Sequence, residues 1–533
     1  MPSLSRWPQS FPLPGRTLAA LITVFLLAGL VGHDPWKNDD AIQIAIARGM
    51  ASGGNWLSPR LAGELWLDGP PLYAWVAALV GSVFSVGGWL AWHDAARLAT
   101  PAFLIPGLLA LAVAARRCHG PDAALLAPLL ALGTLGLLVP GHDAQPAIIG
   151  FSALSLLLAG LAAWETKPRG APVMLAAAHA LAFLGVGLDG LLPVTAITLC
   201  ALLHPHWRRA AGGRWLVAVG LAAIALAAWP AALAIGHPGL LDAWWQREVA
   251  GLAGGGLLVF FRIEQFAWAS WPVFPLALWA LWLERRRLRE WQVYLPVNAI
   301  LITLVHYLHA REPSIALLPL LSALVVFAAV GAGRLRRGAA NAFDWFGAMT
   351  LTLFMALIWL GGIAILTGLP ERVAKNFSKP APGFVPEWSW PALVVAVIAT
   401  LAWLRLLATA PKSPWRAASR WSLGVGVIWL TLACLWLPWI DYGKSYRPVS
   451  AEIRRVLGTD HGCIERQGLG PAQRASLDYF DGIRTTASAG ACPLRIVQTR
   501  PQAPTAISGW RLLLVTARPG DRTESLRLYR RAE

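Results

Sequence analysis

Charge is what this chain lacks. Only 14% of its 533 residues are charged, where soluble domains carry about 25%. Acidic residues are the scarcer half, 28 Asp and Glu against 45 Lys and Arg, while apolar residues make up 56%. Together these exclude a large soluble enzyme and leave a polytopic membrane protein. Cysteine is scarce as well: five residues, with no Cys-x-x-Cys and no zinc spacing. There is no internal repeat and no low-complexity segment. The glycine-rich run at 251–256 lies outside any strand–turn–helix setting, so it is no nucleotide cradle and reads as an outer loop. A net charge of +17 would suggest nucleic acid in a soluble chain. Here the basic residues sit in short clusters between apolar runs. That pattern marks the inner side of a membrane and argues against a nucleic-acid partner.

What is present is a long series of apolar runs. They lie at 17–32, 97–115, 122–139, 144–163, 172–188, 190–203, 214–235, 267–283, 291–308, 313–332, 343–368, 389–408 and 421–438. A crossing helix wants roughly 20 apolar residues. The run 190–203 is short and 172–188 marginal, so these two also read as one broken or re-entrant unit. With the N-terminus inside, the inner loops hold Arg116-Arg117, Lys167 with Arg169, Arg208-Arg209 with Arg214, Arg285-Arg286-Arg287, Arg334 with Arg336-Arg337, and Lys412 with Arg416 and Arg420. The outer loops at 140–143, 189 and 309–312 hold only Arg311 as a basic residue. That asymmetry predicts thirteen crossings, an uncleaved first span and an outer C-terminus. Counting 72–90 as another crossing would invert the later loops. It is expected on the outer face as an interfacial or re-entrant helix anchored by Trp75 and Trp89, with an ordinary span as the alternative.

The expected architecture is an all-α membrane domain at 1–440, with an outer loop at 33–96, followed by a small outer α/β domain at 441–533. The tail's pattern predicts a helix over Ala472–Phe480 and strands over Leu494–Gln498, Trp510–Thr516 and Ser525–Tyr529. Cys463 and Cys492 bracket that helix. An oxidising compartment permits a disulfide between them, with two unpaired thiols as the alternative.

This topology gathers particular polar residues on the outer face: Asp34, Asp39, Asp40, Asp68, His142, Asp143, Asp189, Arg247, Glu248, Arg262, Glu264, Arg311 and Glu312. An acidic pair such as Asp39-Asp40 is costly beside hydrocarbon and is by default a functional-site hypothesis. Asp143 precedes a span, so helix capping competes with chemistry there.

The run Asp39-Asp40-Ala41-Ile42-Gln43-Ile44-Ala45-Ile46-Ala47-Arg48-Gly49-Met50 resembles the first outer loop of the lipid-dependent glycosyltransferases of the GT-C fold. The subgroup it is similar to contains the protein O-mannosyltransferases and the aminoarabinose transferase of lipid A. There the motif is an Asp-Glu pair before a helix ending in Ala-Arg-Glu-Met. Ser52-Gly53-Gly54-Asn55-Trp56-Leu57 resembles the family's Ser-Gly-Asp-Trp-Leu, and Asp68-Gly69-Pro70-Pro71-Leu72-Tyr73 its Glu-Lys-Pro-Pro-Leu-Tyr. The resemblance implies thirteen crossings with an outer C-terminal domain, in a bacterial inner membrane with a cytoplasmic N-terminus and a periplasmic tail. It implies an inverting transfer of a sugar from a polyprenyl-phosphate donor to a lipid, glycan or protein acceptor.

Asp39 falls where the family places its acceptor-activating Asp. Asp40 takes a supporting position, and Asp143 that of a second outer-loop Asp. The chain departs from the family at three basic positions, which hold Gly69, Asp189 and Arg311-Glu312. A leaving phosphate wants cations, and the outer face offers Lys37, Arg60, Arg97, Arg247, Arg262 and Arg311. Arg60, Asp68, His142, Arg247, Arg262 and Arg311 are the expected substrate and phosphate contacts. The sequence names no cofactor, and a divalent metal bridging Asp39 and the phosphate stays open. Two rival readings are a non-catalytic relative that binds lipid-linked sugars or a partner protein, and a transporter of a lipid-linked substrate.

Overall fold

The computed structural model describes residues 15–209, 212–253, 259–409, 413–458, 462–487, 490 and 492–532. Residues 254–256 of the glycine run and the inner-loop Lys412 fall outside them.

In lipid every backbone polar group must be satisfied within the chain, so the apolar runs become helices. Among the described residues, seven are long and apolar enough to cross: Trp92–His119, Gly212–Gly236, Trp291–His309, Pro313–Gly333, Arg337–Thr367, Trp390–Thr409 and Arg416–Leu457, the last being helix Arg416–Lys444 continued by Arg447–Leu457. An eighth is a bent pair, Phe261–Ala269 and Val273–Glu284, meeting at 86°. Pro272 sits at the break, where it removes a backbone donor. The runs expected to cross between 122 and 203 form shorter apolar helices: Pro121–Leu132, Ala147–Ala162, Gly170–Val186 and Leu188–Leu203. Gly187, at φ 82°, separates the last two.

Pro313–Gly333 is the most buried of these crossing helices, with 94% of its apolar stretch inside the protein. It packs against Val273–Glu284, Trp291–His309, Ala147–Ala162 and Pro121–Leu132. Gly331 permits the closest of these approaches, since a Cβ there would lie 2.0 Å from the Leu276 carbonyl oxygen. Small residues at such crossings let backbones meet where lipid gives no hydrophobic drive.

The outer loop is ordered. Helix Asp39–Ala51 leads into a two-stranded hairpin, Arg60–Leu61 with Glu64–Leu65, and then into helix Leu72–Phe84. That helix has 13 residues, about 20 Å at 1.5 Å per residue against a hydrocarbon core of about 30 Å. Tyr73, Ala74, Ala77 and Ala78 are buried, while Leu79, Val83 and Phe84 are exposed. Trp75 turns back to donate to the Trp56 carbonyl at 2.7 Å.

The loop is tied to the bundle by Arg97, whose side chain is fully buried. Its Nε donates to Asp40 Oδ1 and one Nη to Asp40 Oδ2, both at 2.9 Å. The remaining N–H groups reach Asp94 Oδ1 and the His33 and Asp34 carbonyls, each at 2.9 Å. All five guanidinium donors are therefore taken. Arg97, one of the outer-face cations expected for a phosphate, holds the fold together instead.

The tail is a four-stranded sheet in the order Ile464–Gln467, Leu494–Thr499, Ser525–Arg531, Trp510–Thr516. Its first pair is parallel and the others antiparallel. Helices Arg447–Leu457 and Pro471–Asp481 cover it, with Ile453, Leu457, Leu477, Ile496 and Leu528 in the shared core. Strand Ile464–Gln467 and helix Arg447–Leu457 were not apparent in the sequence pattern. Cys463 and Cys492 are bonded, with Cα atoms 5.2 Å apart.

The sheet domain clamps the outer loop. Arg447 pairs with Asp34, Lys37 with Glu524 at 2.8 Å, and Glu64 with both Arg466 at 2.6 Å and Arg474 at 2.7 Å. His93 Nδ1 lies 2.9 Å from the Tyr479 hydroxyl. Ala472 and Ala475 of the tail join the same apolar core as Ala41, Ile44 and Ala45 of the acidic helix.

Two outcomes follow from these ties. Arg97→Met leaves Asp40 buried without its cation, which costs about 3–5 kcal/mol; denaturant unfolding in detergent should show a clear loss of the folded form. Replacing Cys463 and Cys492 by Ser should cost the tail about 2–4 kcal/mol, read as faster limited proteolysis of the tail while the membrane helices stay intact.

Candidate active site

Asp39 and Asp40 are neighbours on the first turn of one helix, so their side chains point about 100° apart. That divides their roles. Asp40 faces inward and is 2% exposed. Its Oδ1 accepts from Arg97 and from the Ala144 amide at 3.0 Å, and its Oδ2 from Arg97 and from the Trp36 amide at 2.8 Å. Burial alone would raise this carboxyl; Arg97 beside it holds it well below the usual carboxylate range. Both oxygens are saturated, so Asp40, expected among the catalytic carboxylates, is an anchor out of reach of a substrate.

Asp39 turns the other way, half-buried. Burial raises its carboxyl first, and the negative charges of Glu312 and Asp40 raise it further, against a hydrogen bond with Gln145. Asp143 joins it. Burial and then Asp40 push the Asp143 carboxyl up to about 7, against the pull of Arg97 and Lys444, and the charge of Asp39 adds to the rise. Asp143 does not cap a helix: Ala147–Ala162 starts at the cap Pro146. Its backbone carbonyl accepts from the Thr100 hydroxyl at 2.7 Å. Glu312, exposed, immediately precedes helix Pro313–Gly333 and stands beside an exposed Arg311. Asp143, pushed up to about 7, can take up or hold a proton near neutral pH, where an ordinary Asp is a weak base, and Asp39 is shifted in the same direction.

The other expected contacts divide. Arg262 is 4% exposed and donates to the Tyr307 carbonyl at 2.6 Å and the Ala310 carbonyl at 2.9 Å. It staples Val259–Ala269 to the end of Trp291–His309 and is not offered to a phosphate. His142 is buried between Phe25 and Trp429, its ring nitrogens 2.5 Å and 2.8 Å from the Leu138 and Phe25 carbonyls. It too is structural. Arg247 and Asp68 form a surface pair at 2.8 Å, each more than half exposed. Arg60 donates to the Gly63 carbonyl within the hairpin, at 2.9 Å. Asp189 lies 3.4 Å from His306, and the neighbouring Leu188 amide donates to Glu248 at 2.8 Å. Acids thus gather where a basic residue was expected. Gly69 has open space where a side chain would stand. Among the described residues, no group of three or more His, Cys, Asp or Glu is placed to hold a metal ion.

Three participants escaped the sequence reading. Gln145 sits two residues from Asp143, which was a local signal. Trp36 and Lys444 left none, because 408 positions separate them. The Lys444 ammonium lies 4.5 Å from the Trp36 ring centroid.

Comparison with known proteins follows this geometry. Residues 68–232 match the family model described as dolichyl-phosphate-mannose-protein mannosyltransferase. The undecaprenyl phosphate-alpha-4-amino-4-deoxy-L-arabinose arabinosyl transferase of Pseudomonas aeruginosa PAO1 is 29% identical over 291 residues, half of each chain. The transferase of the same description from Edwardsiella ictaluri is 26% identical over 200 residues, 36% of this chain and 35% of its own. The chain thus spans about half the length, or less, of these curated relatives in alignment. The fold match is longer. The crystal structure of ArnT from Cupriavidus metallidurans bound to undecaprenyl phosphate superposes with a TM-score of 0.69 at 17% identity, covering 96% of this chain and 97% of that one. The chain therefore has the GT-C fold and, over about half its length, is similar in sequence to the undecaprenyl phosphate aminoarabinose transferases.

Proposed function

We propose that this protein is a glycosyltransferase of the bacterial inner membrane that works on the periplasmic face. It takes a sugar from a polyprenyl-phosphate carrier, as the names of its relatives suggest for the donor, and passes it to a lipid, glycan or protein acceptor. One observation carries the reading. Of the two adjacent acids, one is sealed into the fold, while its neighbour is half-buried, raised in pKa and beside a second raised acid.

In the proposed step the acceptor oxygen attacks the anomeric carbon. Its proton passes to Asp39, the bond from that carbon to the phosphate oxygen breaks, and polyprenyl phosphate leaves with the electron pair. A single displacement inverts the anomeric centre. Asp143, whose carboxyl feels the charge of Asp39, would hold a second proton, and Asp40 with Arg97 fixes the geometry. The apolar flanks of the bundle suit the carrier's hydrocarbon tail.

A second reading has one observation behind it. Arg97 and Arg262 are both taken up inside the protein, and Gly69 stands where a lysine was expected. A binding protein of the same fold that performs no transfer would tolerate this.

The two readings diverge in membranes carrying Asp39→Asn at equal protein level. For an enzyme, mass spectrometry of lipids and surface glycans should show transfer reduced by about 10²–10⁴-fold; a glycan pattern identical in wild type, Asp39→Asn and a deletion strain favours the binding protein. The pH profile gives a further outcome. Proton uptake requires ionised Asp39, so the rate should climb with pH through its raised pKa. Glu312→Gln removes a charge that raises Asp39, so the acidic limb should move to lower pH.

A further inference from the structure

The proposed reaction must seat a phosphate against Asp39, Asp143 and Glu312, three carboxylates. Cations decide whether that is feasible. Most basic residues on this face are already engaged. Arg97 and Arg262 are buried and bonded within the protein. Lys37 is held by Glu524, Arg447 by Asp34, and Arg247 by Asp68. Several others are exposed without a carboxylate partner among the described residues, Arg48, Arg60, Arg311, Lys375 and Lys444 among them. Of these, Lys444 is tied to the acidic centre through Trp36 and Asp40.

Lys444 is the last residue of helix Arg416–Lys444. Its ammonium lies over the face of Trp36, and that ring is fixed from several sides. Trp36 Nε1 donates to Asp441 Oδ1 at 2.7 Å, its backbone amide donates to Asp40 Oδ2 at 2.8 Å, and the ring packs on His33 with centroids 4.0 Å apart. The other oxygen of Asp40 receives the amide of Ala144, the residue after Asp143. One buried carboxylate therefore fixes both the aromatic platform under Lys444 and the strand of chain that carries Asp143. The ammonium's field reaches the Asp143 carboxyl. An ammonium over an aromatic face keeps its N–H donors free on the far side, while the ring holds it in place. An exposed lysine left without a carboxylate partner among the described residues is suited to accept an incoming anion.

We propose that Lys444 binds the phosphate of a reactant at the Asp39–Asp143 centre. The inference rests on the glycosyltransferase reading and names a residue for a task that reading leaves open. Two sources share the chemistry: the polyprenyl phosphate that leaves, or a phosphate carried by the acceptor. In the first case the ammonium neutralises charge that grows on the departing oxygen. In the second it offsets repulsion between the acceptor and the carboxylates.

The test uses the full-length protein in nanodiscs, with undecaprenyl phosphate as the probe. Its binding is followed by native mass spectrometry, and transfer is measured in parallel with donor and acceptor varied separately. Wild type is compared with Lys444→Met, Lys444→Arg and the surface control Lys375→Met, each checked by its unfolding midpoint. A charged hydrogen bond of ordinary strength predicts about tenfold weaker undecaprenyl phosphate binding for Lys444→Met, with Lys444→Arg recovering most of the loss, if the leaving phosphate is the ligand. Unchanged probe binding with about a tenfold higher KM for a phosphorylated acceptor alone assigns the acceptor phosphate instead. Wild-type binding and KM values in a folded Lys444→Met overturn the proposal. A wild-type protein that neither binds the probe nor transfers sugar overturns the transferase reading, and this inference with it.

Discussion

The site depends on one buried ion pair. Arg97 and Asp40 meet at 2.9 Å through two parallel hydrogen bonds with both side chains withdrawn from water. A pair so placed contributes little net stability against an apolar alternative, but removing one member is severe. Its value here is geometric. The two oxygens of Asp40 also hold the amides of Trp36 and Ala144. The loop before the acidic helix, the helix itself and the connector carrying Asp143 are therefore registered on one carboxylate. Because Asp40 is locked inward, its neighbour Asp39 must present outward.

The tail completes this arrangement from above. It contacts the loop at Asp34, Trp36, Lys37, Glu64 and His93, each through a different residue. Such an array adds polar ties to a loop whose two helices already bury Ala41, Ile44, Tyr73 and Ala77 in the main core. The platform under Lys444 is part of it, since Asp441 holds the indole N–H and Asp40 the backbone amide of the same tryptophan. The membrane bundle supplies the rigid floor, and the tail fixes the loop upon it. A centre assembled from three distant chain segments can then keep its acids close without collapsing into salt bridges.

Much of this was legible in the sequence, for identifiable reasons. Apolar runs and basic loops reflect the bilayer, a uniform solvent that acts on local composition. The acidic pair stood out because charge is rare in this chain. Three tail strands were readable from alternating apolar residues. Strand Ile464–Gln467 was not: it is an edge strand reading Ile-Glu-Arg-Gln, with one apolar side chain to mark it. Partnerships over long separations left no local trace. Nothing near Arg97 announces that its partner lies 57 residues away, and nothing near Arg262 shows that two backbone carbonyls will claim it. Exposed arginine and buried arginine look alike in sequence, so the outer-face cations were overcounted. The same blindness hid Lys444, which meets Trp36 only through the fold.

The central claim is a division of labour between adjacent acids: Asp40 holds the structure and Asp39 does the chemistry. Purified Asp39→Asn and Asp40→Asn, assayed side by side for unfolding midpoint and sugar transfer, test it most directly. The account predicts that Asp39→Asn unfolds like wild type and fails to transfer, while Asp40→Asn unfolds early. An Asp39→Asn protein that folds normally and transfers sugar at the wild-type rate would contradict it.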